Sequence, residues 1–337
     1  MTILRILLLW LLVAAAAVAA PPAFAPVTPG RTLVFPADYG AHPDYRTEWW
    51  YATGWLQTPD GKPLGFQVTF FRSRTETDPA NPSAFAPKQL IIGHAALSDP
   101  ALGRLVHDQR SARAGFGLAY ANTGTTDVKL DDWSMRREPD GRYLIVVRSG
   151  EFAFTLRLSP TQPLLLQGAA GYSQKGPQPG HASYYYSEPH LQVEGEIVRA
   201  GRKEAVTGAA WLDHEWSSAY MAPEASGWDW CGVNLLDGGS LTAFQMRDAK
   251  GGVHYAPPGV SFKALRTWKS PRTGAEYPVE MQVNDLVLKP LMDDQELDAR
   301  TSSGTIYWEG AVRAFSKTSE IGRGYLELTG YWKPMKL

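Results

Sequence analysis

The chain has 337 residues with 33 Lys and Arg against 34 Asp and Glu, so nothing in its net charge steers it toward nucleic acid or an anionic membrane surface. A single cysteine, Cys231, excludes an intramolecular disulfide, so stability has to come from packing.

In chain order, the first element reads as an export signal. Arg5 precedes the apolar run Ile6–Leu12, an Ala/Val stretch continues to Ala20, and Ala23-Phe24-Ala25 supplies small residues for cleavage. The run is shorter than the ~20 residues of a membrane span. The mature protein is therefore expected in the periplasm or outside the cell, touching a membrane at most without spanning it. Cleavage after Ala20 or Ala25 would leave a proline first, so an uncleaved inner-membrane anchor stands as the alternative. The remainder, about 310 residues, exceeds the usual single core and predicts two lobes.

Twelve Trp and fifteen Tyr, punctuated by 25 Pro and 32 Gly, favour short strands over long helices. Strands are predicted over Thr47–Gln57, Gly65–Arg72, Gln89–Leu97, Trp133–Arg136, Tyr143–Arg148 and Phe152–Leu158. The last alternates apolar and polar residues, as a half-buried antiparallel strand does. Asp60-Gly61 and Asp140-Gly141 supply hairpin turns. The second half continues with Ser183–Tyr186, Leu191–Arg199, Glu204–Glu215, Gly227–Leu235, Leu241–Arg247, Met281–Val287, Thr305–Val312 and Tyr325–Trp332, with a turn at Asp237-Gly238-Gly239. The fold class is all-β and antiparallel, divided near Arg202.

Titratable groups stand among large aromatics in three strands. In Thr47-Glu48-Trp49-Trp50-Tyr51, alternation sends Glu48 and Trp50 to one face and Trp49 and Tyr51 to the other. In Trp211-Leu212-Asp213-His214-Glu215-Trp216, His214 and Trp216 share one face, Asp213 and Glu215 the other. Trp228 and Trp230 flank Asp229 and share a face; Tyr184 and Tyr186 flank Tyr185. A histidine in a dry cavity with a carboxylate nearby is a proton relay; the structural alternative is a core histidine held by Asp213 or Glu215. The tryptophans line a pocket or fill a barrel core. No helical histidine pair, cysteine cluster, nucleophile elbow or phosphate-binding glycine loop is present, so neither metal nor cofactor is expected.

Thr47-Glu48-Trp49-Trp50-Tyr51, Gly93-His94-Ala95-Ala96-Leu97-Ser98-Asp99, Ser183-Tyr184-Tyr185-Tyr186-Ser187, Trp211–Trp216, Gly227-Trp228-Asp229-Trp230, Tyr307-Trp308-Glu309-Gly310 and Gly324–Tyr331 resemble the signature blocks of the carotenoid 1,2-hydratase superfamily. The resemblance runs from about Phe35 to Tyr331 and is closest to a periplasmic, transporter-associated branch named for attachment loci and described as secreted hydrolases. It implies two consecutive lipocalin-like β-barrel or sandwich domains, residues 26–202 and 203–337, after a signal at 1–25, with a ligand site near their junction.

The resemblance further implies a lipophilic small-molecule ligand, a lipid or isoprenoid. The protein would be the periplasmic partner of an ABC transporter permease or, alternatively, a cofactor-independent hydratase or hydrolase. Carried over, His214 handles the proton and Trp216 stabilises a cation. The Tyr-x-Asp pair of the hydratases is replaced here by Phe244-Gln245-Met246, so Asp213, Glu215, Glu48 or Asp229 would have to supply the acid. The expected ligand-binding residues are Trp49, Trp50, Tyr51, His94, Tyr184, Tyr186, Trp216, Trp228, Trp230 and Phe244, around a dry hollow into which His214 looks.

Overall fold

A computed structural model describes residues 24–335, nearly all of them in strands or the turns between strands. The export signal expected at 1–25 falls mostly outside the described residues. Among those, no helix is long and apolar enough to cross a membrane.

The first sheet contains β1 (Thr47–Gln57), β2 (Pro63–Arg74), β3 (Gln89–Asp99), β4 (Arg104–Arg113), β5 (Ala119–Ala121), β6 (Asp127–Leu130), β7 (Trp133–Arg137), β8 (Tyr143–Arg148), β9 (Phe152–Ser159), β10 (Leu165–Leu166), β11 (Tyr172–Gln174), β12 (Ala182–Arg199) and β13 (Arg202–Ala219). Their order is β4-β3-β2-β1-β13-β12-β9-β8-β7-β6-β5, with β10 and β11 also on β12. The sheet curls until β3 and β4 meet β5 and β6, making a nearly closed barrel.

The second sheet contains β14 (Ala225–Leu235), β15 (Ser240–Asp248), β16 (Val253–Tyr255), β17 (Phe262–Lys269), β18 (Glu276–Val283), β19 (Leu286–Pro290), β20 (Glu296–Ala299), β21 (Thr305–Ser316) and β22 (Ser319–Leu328). It runs β16-β15-β14-β22-β21-β19-β18-β17 with β20 on β21, a curled half-barrel. The division expected near Arg202 is corrected: β13 lies between β1 and β12 in the first sheet, and the chain changes sheets between Ala219 and Ala225. Arg202 follows a hairpin turn whose Ala200 and Gly201 both have positive φ, a local reversal rather than a boundary.

Burial shows where the sheets meet. On β9, Phe152, Phe154, Leu156 and Leu158 are buried and the residues between are not, so one face meets water. On β1 every residue from Trp50 to Leu56 is buried, and on β13 every residue from Ala210 to Ser217. These strands have the barrel core on one face and the second sheet on the other. Tyr51, Trp55, Trp211, Trp230, Ala311 and Tyr325 form the core of that junction. At Gly65 a Cβ would stand 2.6 Å from the Tyr325 hydroxyl and 2.8 Å from the Ala311 methyl, so glycine permits the close approach of the sheets.

Candidate active site at the sheet junction

Between the outer face of β1, β2, β3, β12 and β13 and the facing side of β14, β21 and β22 lies a cavity of about 610 Å³. Its apolar walls include Trp49, Tyr51, Phe71, Tyr185, Trp228 and Trp230, and its polar lining includes His94, Asp213, Glu215, Glu309 and Glu327. Arg46, the turn at Ser302–Thr305 and the segment Trp332–Met335 complete the lining.

Four carboxyl groups in an aromatic cavity set its chemistry. Glu309 and Glu327 are direct cross-strand partners on β21 and β22, where like charges repel. Burial and this repulsion push Glu309 well above the usual carboxylate range. Tyr51 and Gln67 lie near enough to favour its ionised form, but the Tyr51 hydroxyl, both Gln67 amide atoms and Glu309 Oε1 have no well-formed hydrogen bond among the described residues. Glu327 accepts one from Trp228 Nε1 at 2.9 Å, and burial raises it to about 7.

Asp213 is better supplied. It accepts from Trp211 Nε1 at 2.7 Å, Ser187 Oγ at 2.5 Å and the Tyr185 hydroxyl at 2.9 Å, and Tyr185 in turn accepts from Trp230 Nε1 at 3.1 Å. Burial nevertheless carries Asp213 to about 7. Glu215 pairs with the buried Lys175 ammonium at 2.8 Å and accepts from Ser183; burial raises its pKa against these partners. Poorly hydrogen-bonded Glu309 is thus the natural proton holder and donor-rich Asp213 the natural base.

His94 also faces the cavity, with Nδ1 2.9 Å from the Tyr307 hydroxyl and Nε2 2.9 Å from Ser302 Oγ. Burial lowers its pKa to about 3, leaving a weak base. The Ser302 hydroxyl is 2.7 Å from Gln109 Oε1, and the Ser302, Ser303 and Gly304 amides are already bonded. Without a strong base or free oxyanion donors, this group is poorly suited to acyl transfer.

The expectation that His214 looks into the cavity is overturned. His214 and Trp216 point into the barrel, on the face opposite Asp213 and Glu215. The His214 ring stacks on Trp50 at 4.6 Å, its Nε2 donates to Glu48 at 2.8 Å, and its Nδ1 accepts from the Tyr186 hydroxyl at 3.1 Å. Burial lowers its pKa to about 4. Glu48 also accepts from Arg72 Nε at 2.6 Å and His42 Nδ1 at 2.6 Å, while His42 Nε2 stands 2.9 Å from Asp38. Despite burial, the Arg72 guanidinium and the His42 and His214 partners hold Glu48 well below its ordinary pKa, and Glu48 and Asp38 raise that of His42. The His42 ring stacks on Trp216 at 3.7 Å. Ligand-capable atoms of His42, Glu48 and His214 lie within 4.8 Å of one another, but Arg72 already occupies Glu48 and all four ring nitrogens are engaged. This is a closed proton network, not an open metal site.

The other expected positions divide by strand face. Trp49, Tyr51, His94, Trp228, Trp230, Asp213 and Glu215 line the cavity. Trp50, Tyr184, Tyr186 and Glu48, like Trp216, point into the barrel and do not. Asp229 faces away, bonded to Arg247, Gln245 and Tyr331. Phe244 lines a separate 340 Å³ cleft that shares Tyr185 with the main cavity. Glu309, Glu327, Tyr185 and Lys175 were not singled out from sequence. A lone acid inside the strand run Tyr325-Leu326-Glu327-Leu328 is the same signal that marked Glu48 and would have found Glu327.

The AttH-like family model matches residues 26–331. An AttH protein from Nitrosomonas europaea is 55% identical over 91% of this chain and 100% of its own, with a TM-score of 0.86. Kievitone hydratase from Nectria haematococca shares the fold at 15% identity and a TM-score of 0.64, over 93% of this chain and 97% of its own. No curated protein matches the sequence.

Proposed function

We propose, from the premise that this chain belongs to the AttH-like family, that it binds a lipophilic, unsaturated small molecule between its two sheets and adds or removes water at a carbon–carbon double bond without a cofactor. The observation that carries this reading is the Glu309/Glu327 pair in an aromatic cavity whose opposite wall presents Asp213. The Glu309 carboxylic acid gives its proton to one alkene carbon, whose π electrons form the new C–H bond. The carbocation left on the neighbouring carbon is stabilised by indole faces. Water attacks it while Asp213 takes the water's proton, and return of that proton to Glu309 restores the site. The fold shared with kievitone hydratase, a protein named for water addition, supports this reaction class.

A second reading is carriage of the same lipophile, without turnover, beside an ABC transport system in the periplasm. It is favoured by the segment at the cavity rim: the Met335 amide donates to Ser226 O at 2.8 Å and Thr305 Oγ1 to Met335 Sδ at 3.1 Å, a strap that would retain an apolar guest.

Incubating the full chain with acyclic polyenes such as lycopene or neurosporene in ¹⁸O-labelled water separates the two. Turnover predicts a product heavier by one labelled water, and Glu309→Gln lowers the rate by roughly 10²–10⁴-fold. Absence of product together with a co-purifying lipophile in native mass spectrometry supports carriage. A product formed equally well by Glu309→Gln and Glu327→Gln sinks the assignment of the acid.

A further inference from the structure

Most carboxyl groups around the cavity lack an ion-pair partner among the described residues. Lys175 is the buried cation, and it is fully engaged: it pairs with Glu215 at 2.8 Å, with its ammonium 4.1 Å from the Phe244 ring centre and 4.8 Å from that of Tyr185. Asp213, Glu309 and Glu327 have no cationic partner among the described ion pairs. Arg46 and Lys333 also line the cavity, but among the described ion pairs neither meets these carboxyls; Arg46 lies over the Phe24 ring and Lys333 over that of Trp332.

Two further observations say what would complete the site. The Tyr51 hydroxyl and Glu309 Oε1 border the cavity, are more than nine-tenths buried and lie near one another, and neither has a well-formed hydrogen bond among the described residues. No three of the cavity's carboxyl groups bring ligand atoms within 4.8 Å of one another among the described residues. Among the described residues, the one triple of ligand atoms within 4.8 Å of one another is His42, Glu48 and His214, inside the barrel. Carboxyls interleaved with indole and phenol faces suit a bulky organic cation, whose diffuse charge is attracted by ring faces and carboxylates together.

We infer that the inter-sheet cavity is a receptor for a cationic amphiphile, an apolar body carrying an ammonium-type centre that lodges among Asp213, Glu309, Glu327 and the rings of Tyr51, Trp228 and Trp230. This rests on the reading that the cavity is the ligand site, and it adds the class of molecule held there. It also fits the proposed chemistry, because a fixed cation resembles the carbocation formed on protonating an alkene, and such mimics bind more tightly than substrates.

The test is a charge series measured by isothermal titration calorimetry on the full chain: 4-phenylbutyltrimethylammonium, 4-phenylbutanol and 4-phenylbutyrate. The expected order of affinity is cation, alcohol, carboxylate, with the cation ahead of the alcohol by roughly tenfold or more. In the Glu309→Gln/Glu327→Gln double variant the ratio of cation to alcohol affinity should shrink to about twofold. If the alcohol equals or beats the cation in the unaltered protein, the inference is overturned while the cavity remains a ligand site. A cation advantage that survives in a folded double variant also overturns it. If none of the three binds, the assignment of the cavity as ligand site falls as well.

Discussion

Strand β13 carries Asp213, His214 and Glu215 in sequence, and its two faces handle buried charge in opposite ways. Toward the barrel, His214 joins a balanced set in which Glu48 and Asp38 are met by Arg72, His42 and Arg31. Toward the junction, Asp213 and Glu215 join Glu309 and Glu327, with Lys175 as their one buried counter-ion among the described pairs. A closed network holds a fold together, whereas an unbalanced one keeps protons and affinity in reserve for a ligand. The contrast puts the most conspicuous histidine in the scaffold and the proposed chemistry on its neighbours in sequence.

The largest expected effect breaks the balanced side. Glu48→Gln leaves the Arg72 guanidinium buried without its carboxylate and costs about 3–5 kcal/mol, or roughly 10 °C in Tm. Thermal unfolding followed by circular dichroism checks this, and a shift of under about 2 °C would show that the network is not structural. On the junction side, Glu327→Gln removes one of two opposed carboxyls and should leave stability unchanged or raise it by up to about 1 kcal/mol.

His214 and the junction carboxyls respond to pH with opposite signs. His214 has a folded pKa of about 4, below its unfolded value of about 6.5, so its contribution is present above pH 6.5 and is lost as pH falls toward 4. Asp213 and Glu327, with folded values of about 7, lie above their unfolded values near 4. Their contribution is present below pH 4 and is lost as pH rises through 7. The Glu309→Gln/Glu327→Gln variant should therefore gain Tm relative to the parent at pH 8 and much less at pH 4.5. An equal difference at both pH values would mean that Glu327 does not titrate in this window.

The strands with one wet face were legible in sequence. Phe152–Leu158 and the turns at Gly61, Gly141 and Gly238, all with positive φ, stand where alternation and Asp-Gly pairs put them. Met281–Val287, expected as one strand, is split by Asn284 at φ 50°, a reversal that needed no glycine to mark it. Strand β17, with most of Phe262–Lys269 exposed, lacked the apolar run that betrays a strand. The parity of Asp213, His214 and Glu215 was readable too, but not which face met the cavity, because both faces of Ala210–Ser217 are buried and periodicity separates only buried from wet. That choice depends on the second sheet's docking, which brings Trp230 and Tyr325 against Tyr51 and Trp55 from far along the chain.

The smallest expected effect sharpens the comparison at its seam. Tyr185 takes a hydrogen bond from Trp230 and gives one to Asp213, so Tyr185→Phe deprives the indole of an acceptor and the carboxylate of a donor. Orphaning one buried N–H costs about 1 kcal/mol, well below the loss expected at Glu48. Losing the donor disfavours ionised Asp213 and moves its pKa upward from about 7. If Asp213 is the base, the rising limb of the bell-shaped pH–rate profile shifts to higher pH in Tyr185→Phe while its falling limb, set by the acid, stays where it is in the parent. A profile that falls in height with an unmoved limb would instead make Tyr185 a packing residue and leave the base to Glu215.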